Sequence, residues 1–169
     1  ISDSINDNQL ILFSLPNMQS MLQRNYTNCI NFEHTIFLNE EYIEYLLHKN
    51  GLITIEKNYY LDDHSIFYAV KKNKNSSDKK LSSKLYDKNK KLFISYVNYY
   101  KDLIQIINKK IDKLENDKEI YLFGGHVFSQ HIIANGLNSS KIRGILDNDF
   151  KKQGNRLYGT NFKIYSPKI

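Results

Sequence analysis

The sequence contains little cysteine, proline and glycine, and it has no long apolar run. Its 169 residues include one cysteine, two prolines and seven glycines, while 41% are hydrophobic and 13% aromatic. This composition excludes a collagen-like chain and a broadly disordered one, and it suits one ordinary domain or two small ones. No stretch approaches the roughly 20 apolar residues that span a bilayer, and the polar start does not resemble a signal peptide. We therefore predict no membrane partner.

The shortage of cysteine also limits redox and metal chemistry. Cys29 cannot form a disulfide within the chain and has no Cys-x-x-Cys partner for zinc, which favours a reducing, cytoplasmic location. The five histidines are scattered without ligand spacing, so we predict no metal site in this chain. Because the first residue is Ile rather than Met, we expect the chain to begin inside a longer reading frame.

Positive charge is concentrated in one segment. The chain carries a formal charge of +6, and residues 71–91 alone contain nine lysines against two aspartates. This segment is rich in Ser and Asn, and it lacks Arg and a pattern of interleaved aromatic residues, both of which nucleic-acid recognition favours. We interpret residues 71–92 as a solvated, lysine-rich linker leading into a helix, with nucleic-acid binding as the less favoured alternative.

The first part of the chain predicts three strands and a helix. Residues 9–15 form an apolar run typical of a strand buried on both faces in a largely parallel sheet. Residues 39–51 combine an Asn cap, acids in the first turn, apolar residues at helical spacing and a final Gly, which together predict a helix. Residues 52–60 and 65–70 are β-branched and aromatic, and we expect them to pair antiparallel.

The second part predicts a long helix and then alternating elements. Residues 93–114 repeat apolar side chains every three or four positions, as in a long amphipathic helix. A strand over residues 119–123 precedes a glycine turn and a helical pattern from Val127, and a strand over residues 142–146 ends at Asp147. This order of strand, glycine turn, helix, strand and acid is that of half a Rossmann-type unit.

The glycine turn is a candidate binding site. Gly124 and Gly125 permit a tight turn and expose backbone N–H groups at the helix start, next to His126, where an anion is stabilised. Asp147 is suited to accept a ribose hydroxyl. We assign these four residues to substrate binding. Because the full G-x-G-x-x-G pattern is absent, a plain turn and a loop-capping aspartate remain alternatives.

Glu33 and His34 are the candidate catalytic pair. A histidine titrates near neutral pH and suits proton abstraction, and a nearby carboxylate raises its basicity. Adjacent side chains in an extended segment point to opposite faces, so a structural or exposed pair stays open. The run from Asp63 to Ser65 looks like a hydrolase triad, but consecutive residues cannot adopt triad geometry, and we reject that interpretation.

Three motifs lie in the order expected of a known family. They are the Glu-His pair within NFEHTIF, the strand and glycine turn of IYLFGGHVFSQ, and the D-N-D-x-x-K-Q-G run from Asp147 to Gly154, which Tyr158-Gly159-Thr160 follows. Over nearly its whole length, the sequence resembles the carboxyl-terminal half of sugar C-methyltransferases that use S-adenosylmethionine.

The resemblance implies an α/β fold in two parts. Residues 1–70 would be the end of a class I methyltransferase sheet, and residues 93–169 a Rossmann-like, substrate-binding domain, joined by the linker and the long helix. It also implies that Glu33 and His34 lie at the reaction centre, with His34 as the general base.

The resemblance further implies the substrates. The methyl acceptor would be a nucleotide-linked keto-sugar and the cofactor S-adenosylmethionine, with most of the cofactor site and a zinc-binding amino-terminal module outside this chain. The chain alone would then lack activity. A noncatalytic nucleotide-binding module and a basic nucleic-acid-binding protein are the two alternative functions.

Overall fold

The computed structural model describes residues 4–30, 36–73, 79–115 and 117–169. The chain divides into two compact units, Ile1–Phe93 and Ile94–Ile169. The strands are β1 (Leu10–Pro16), β2 (Leu52–Tyr60), β3 (Ser65–Lys72), β4 (Ile120–Phe123), β5 (Ile142–Leu146) and β6 (Ile164–Tyr165). The α-helices are α1 (Met18–Gln23), α2 (Glu40–Lys49), α3 (Leu85–Asp112) and α4 (Val127–Ala134). The fold is therefore mixed α/β, with one antiparallel and one parallel sheet.

The antiparallel sheet lies in the first unit, in the order β1–β3–β2. The central strand β3 is antiparallel to both neighbours, so β1 and β2 run in the same direction. One face packs against α2, where Ile43 and Leu47 join Ile66, Tyr68 and Val70 in the core. The predicted antiparallel pairing of β2 with β3 is confirmed.

The prediction that β1 is buried on both faces in a parallel sheet was wrong. This strand pairs antiparallel with β3, and its side chains alternate between exposed and partly buried, with Leu12 75% exposed. Phe13 lies on the opposite face and stacks on Tyr68, with ring centroids 5.0 Å apart. Because α2 packs on one face of the sheet, only alternate residues of this apolar run reach the core.

Helix α3 begins earlier than its apolar repeat predicts. It starts at Leu85 rather than Phe93, so the second part of the predicted linker is helical. Leu85 is buried and anchors this end of the helix. Lysine and asparagine do not prevent helix formation when such apolar residues pack on one face, which explains the early start.

The second unit contains the parallel sheet, in the order β4–β5–β6. Helix α4 connects β4 to β5, and its Ile132 packs with Ile104 and Ile111 of α3. The predicted strand–turn–helix–strand order is present. At Gly144 the sheet leaves no room for a side chain, since a Cβ atom would lie 2.5 Å from the Tyr165 ring.

No helix in the described ranges has the length and apolarity needed to cross a membrane.

Candidate functional site

A groove of about 540 Å³ opens in the first unit. Its walls come from α1, from the stretch that leads into α2, and from the first turns of α3. Met18, which lines the groove, begins α1 just after β1 ends at Pro16. The groove therefore lies next to the carboxyl end of β1.

Aromatic rings form much of the groove. Phe37 and Phe93 meet edge to face, with ring centroids 6.1 Å apart, and both remain partly exposed. Tyr86 is 65% exposed, and the Lys90 ammonium lies over its ring, 5.7 Å from the centroid. Flat, partly exposed rings provide stacking surfaces for a planar ligand.

A pair of asparagines provides part of the polar lining of the groove. The Asn39 side chain caps α2 by accepting from the backbone N–H of Tyr42 at 3.1 Å. Its amide nitrogen donates to Oδ1 of Asn89, also at 3.1 Å. Asn39 is only 6% exposed, and its two hydrogen bonds hold the pair in place at the amino end of α2. Among the described residues, Nδ2 of Asn89 makes no hydrogen bond, and it can donate to a ligand.

The face of α3 that lines the groove follows from residue spacing. Four groove-lining residues of α3 follow one another at intervals of three, one and three positions, so they share one face of the helix: Tyr86, Asn89, Lys90 and Phe93. Tyr86, Asn89 and Lys90 were not predicted as site residues because the lysine-rich composition of their stretch indicates a linker. The same helical spacing, extended back from Phe93 to Tyr86, would have identified them.

The predicted catalytic pair, Glu33 and His34, lies outside the described residues. Phe37, three positions after His34 in the sequence, lines the groove.

The glycine turn lies at the carboxyl end of β4. Gly124 has φ +105°, a conformation that side chains rarely allow, and its N–H donates to the carbonyl of Leu146 at 2.7 Å. The buried Ser129 hydroxyl donates to the Gly124 carbonyl at 2.6 Å. His126 is exposed, and its Nδ1 accepts from the backbone N–H of Phe128, so it caps α4.

Asp147 occupies the anion position of this turn. Its Oδ2 accepts from the Gly125 N–H at 2.6 Å and from the Lys152 ammonium at 3.1 Å, and its Oδ1 accepts from the Asp149 N–H at 2.8 Å. The pKa of Asp147 is held below its ordinary value, mainly by the hydrogen bond from the Asp149 backbone N–H. The Gly125 backbone N–H and the Lys152 ammonium add to this shift, and burial opposes it. The turn thus already holds a carboxylate within the chain.

The rest of the D-N-D-x-x-K-Q-G run closes the loop between β5 and β6. The Gln153 amide donates to the Asp147 carbonyl at 3.0 Å, and the Gly154 N–H donates to the Ile164 carbonyl at 2.9 Å. The structure therefore brings the predicted residues Gly125 and Asp147 together and gives the motif a structural role. Among the described residues, the carboxylate thus accepts three hydrogen bonds, two at Oδ2 and one at Oδ1.

Burial shifts the pKa of two further groups, His131 and Cys29. The rings of His131 and Tyr100 meet edge to face, with their centroids 4.4 Å apart. Burial lowers the pKa of His131. Burial raises the pKa of the Cys29 thiol to about 11, which keeps it protonated. Within the described ranges, no three His, Cys, Asp or Glu side chains are grouped as a metal site.

The described lysines of the basic segment are mostly exposed, and two of them contact α2. Lys88 pairs with Glu41 at 2.9 Å, and Lys79 with Glu44 at 3.9 Å. Part of the positive charge is thus neutralised locally.

No protein-family model matches this sequence, and no curated protein matches it significantly.

Proposed function

We propose that this chain is the carboxyl-terminal part of a methyltransferase that transfers the methyl group of S-adenosylmethionine to a nucleotide-linked keto-sugar in the cytoplasm. The main support is the family resemblance, which extends over three motifs. One structural observation adds to it: two of these motifs meet, because Gly125 and Asp147 are hydrogen-bonded although they are 22 positions apart in the sequence.

The fold is compatible with this proposal. In the first unit, β1 and β2 run in the same direction with α2 between them in the chain, which suits the end of a class I methyltransferase sheet. In the second unit, β4, α4 and β5 form a parallel βαβ unit, as in a Rossmann-like domain. The finer family assignment of both units is part of the proposal.

The proposed reaction is carbon methylation. His34 takes the proton from the carbon next to the sugar carbonyl, and the electron pair of that C–H bond forms an enolate. With S-adenosylmethionine bound, its sulfonium methyl group would be the electrophile for that carbon, and the sulfur would keep the electron pair of the S–CH₃ bond that breaks. Glu33 supports the basicity of His34.

The cofactor supplies an electrophilic methyl group, and we assign none of the described residues to it. By the resemblance, its glycine-rich loop and the zinc module lie outside this chain. Gly124, Gly125, His126 and Asp147 stay assigned to the sugar nucleotide, with Asp147 accepting a hydroxyl.

The test measures methyl transfer by the full-length protein. Its rate with nucleotide-linked keto-sugars should fall by about 100-fold or more in His34→Ala, and by less in Glu33→Gln. His64→Ala is the matched control, since His64 lies in the β2–β3 turn beside Ser65 and does not line the groove.

Wild-type rates in His34→Ala would remove His34 from the mechanism. Nucleotide binding without any methyl transfer would favour the noncatalytic binding module instead.

A further inference from the structure

The geometry points to the groove of the first unit as a site that holds the base of a nucleotide. This inference rests on the proposed function for the class of ligand. It assigns the base to residues of α3 and of the stretch before α2, of which Phe37 alone lies within a quoted motif, NFEHTIF.

The size and lining of the groove suit a planar ligand. Its volume of about 540 Å³ falls within the range of roughly 300–1,000 Å³ that is typical of small-molecule sites. Phe37, Tyr86 and Phe93 present partly exposed rings within it. Stacking on such rings tolerates any base, because every base has a flat face.

The hydrogen-bonding groups favour a ligand with acceptor atoms. Asn39 fixes the Oδ1 atom of Asn89 as an acceptor, which leaves the Asn89 amide nitrogen as a donor to the groove. The carbonyl oxygen of a pyrimidine is such an acceptor. A purely apolar occupant would leave this donor without a partner at a cost in binding.

The charge of the groove favours an anion. Lys90 is the one charged side chain among the described residues that line it, and no acidic side chain lines it there. The Lys90 ammonium lies 5.7 Å from the Tyr86 ring centroid, so a phosphate attached to a base in the groove would meet a positive charge beside the aromatic lining. A nucleotide combines a planar base, an acceptor edge and a negative charge, and therefore matches all three features of the groove.

The test measures the binding of uridine 5′-monophosphate to this chain, by calorimetry and by NMR of the aromatic side chains. Ribose 5-phosphate, which lacks the base, should bind on the order of tenfold more weakly. Uridine, which lacks the phosphate, should bind about two- to five-fold more weakly.

Variants of residues on α3 distinguish binding in the groove from nonspecific binding of the nucleotide to exposed lysines. Tyr86→Ala should weaken nucleotide binding on the order of tenfold, and Lys90→Gln about two- to five-fold. Tyr99→Ala and Lys91→Gln are matched controls, because both residues are exposed on α3 but do not line the groove. If Tyr86→Ala does not fold, Lys90→Gln and shifts of the Phe37 and Phe93 resonances still decide the question.

The inference would be overturned by no saturable binding, by equal losses in the control variants, or by equal binding of ribose 5-phosphate. Displacement of the nucleotide by S-adenosylhomocysteine, with the same dependence on Tyr86, would assign the groove to the methyl donor and also overturn it. Because binding is measured without methyl transfer, failure here leaves the proposed function untouched, and an inactive full-length protein leaves the groove result intact.

Discussion

The backbone N–H of Gly125 donates a hydrogen bond to Oδ2 of Asp147 across 2.6 Å. This contact joins the turn after β4 to the residue that follows β5. Asp147 is 8% exposed, and Lys152 and Asp149 supply its other donors. The carboxylate therefore stabilises the turn from within the chain, at the place where the glycine pattern alone suggested an external anion.

Replacing Asp147 should destabilise the second unit. In Asp147→Asn, an amide nitrogen must face N–H or ammonium donors, so at least one hydrogen bond is lost and the ion pair with Lys152 disappears. We expect the free energy of unfolding in urea to fall by about 1–3 kcal/mol. Asp149→Asn, an exposed change in the same loop, should alter it by about 0.5 kcal/mol or less. Equal stability of Asp147→Asn and the wild type would contradict a structural role.

The stability contributed by Asp147 should disappear in acid. Its pKa is lowered from an ordinary value of 3.8, mainly by the Asp149 N–H and then by Gly125 and Lys152. A carboxyl group whose pKa is lower in the folded state stabilises the fold above its unfolded pKa, and this stability is lost as the pH falls through the folded pKa.

Urea unfolding of the wild type and of Asp147→Asn, between about pH 7 and about pH 3, measures this effect. The difference in unfolding free energy between the two proteins should be constant above about pH 5 and shrink below about pH 4. A difference that grows in acid would exclude the lowered pKa.

Gly144→Ala should destabilise the parallel sheet. Its new Cβ atom would lie 2.5 Å from the Tyr165 ring and 3.0 Å from the Lys163 carbonyl oxygen, both closer than van der Waals contact. We expect a loss of about 1–3 kcal/mol in unfolding free energy, measured by urea denaturation. Adding Tyr165→Ala removes the ring, so the two changes should cost less together than the sum of their separate costs. Strict additivity would exclude the clash with the ring.

Asn39 should act both as a helix cap and as a partner of Asn89. Asn39→Ala removes both interactions and should lower the unfolding free energy by about 0.5–2 kcal/mol. Asn39→Asp keeps an oxygen to cap α2 but loses the donor to Asn89, so most of the stability should remain. Thermal or urea unfolding distinguishes the variants, and an equal loss in both would assign the effect to the asparagine pair rather than to the cap.

Local patterns predicted the elements that local interactions form. The cap at Asn39 and the apolar spacing after it predicted α2, and the two β-branched runs predicted the β2–β3 pair, since caps, periodicity and turns act within a few residues. The start of α3 at Leu85 was not predicted, because the first turns of the helix contain many lysines and few apolar residues. The partner of β1 was missed because an apolar run does not record which strand lies beside it.

The sequence by itself determined the order of strands and helices, the concentration of charge in one segment and the motifs that suggest methyl transfer. The tertiary structure alone decided that Asp147 reaches Gly125, that Asn39 reaches Asn89, and that a groove opens at the end of β1. These features join residues distant in the chain, and their geometry depends on the packing of whole helices and sheets, which no short pattern specifies.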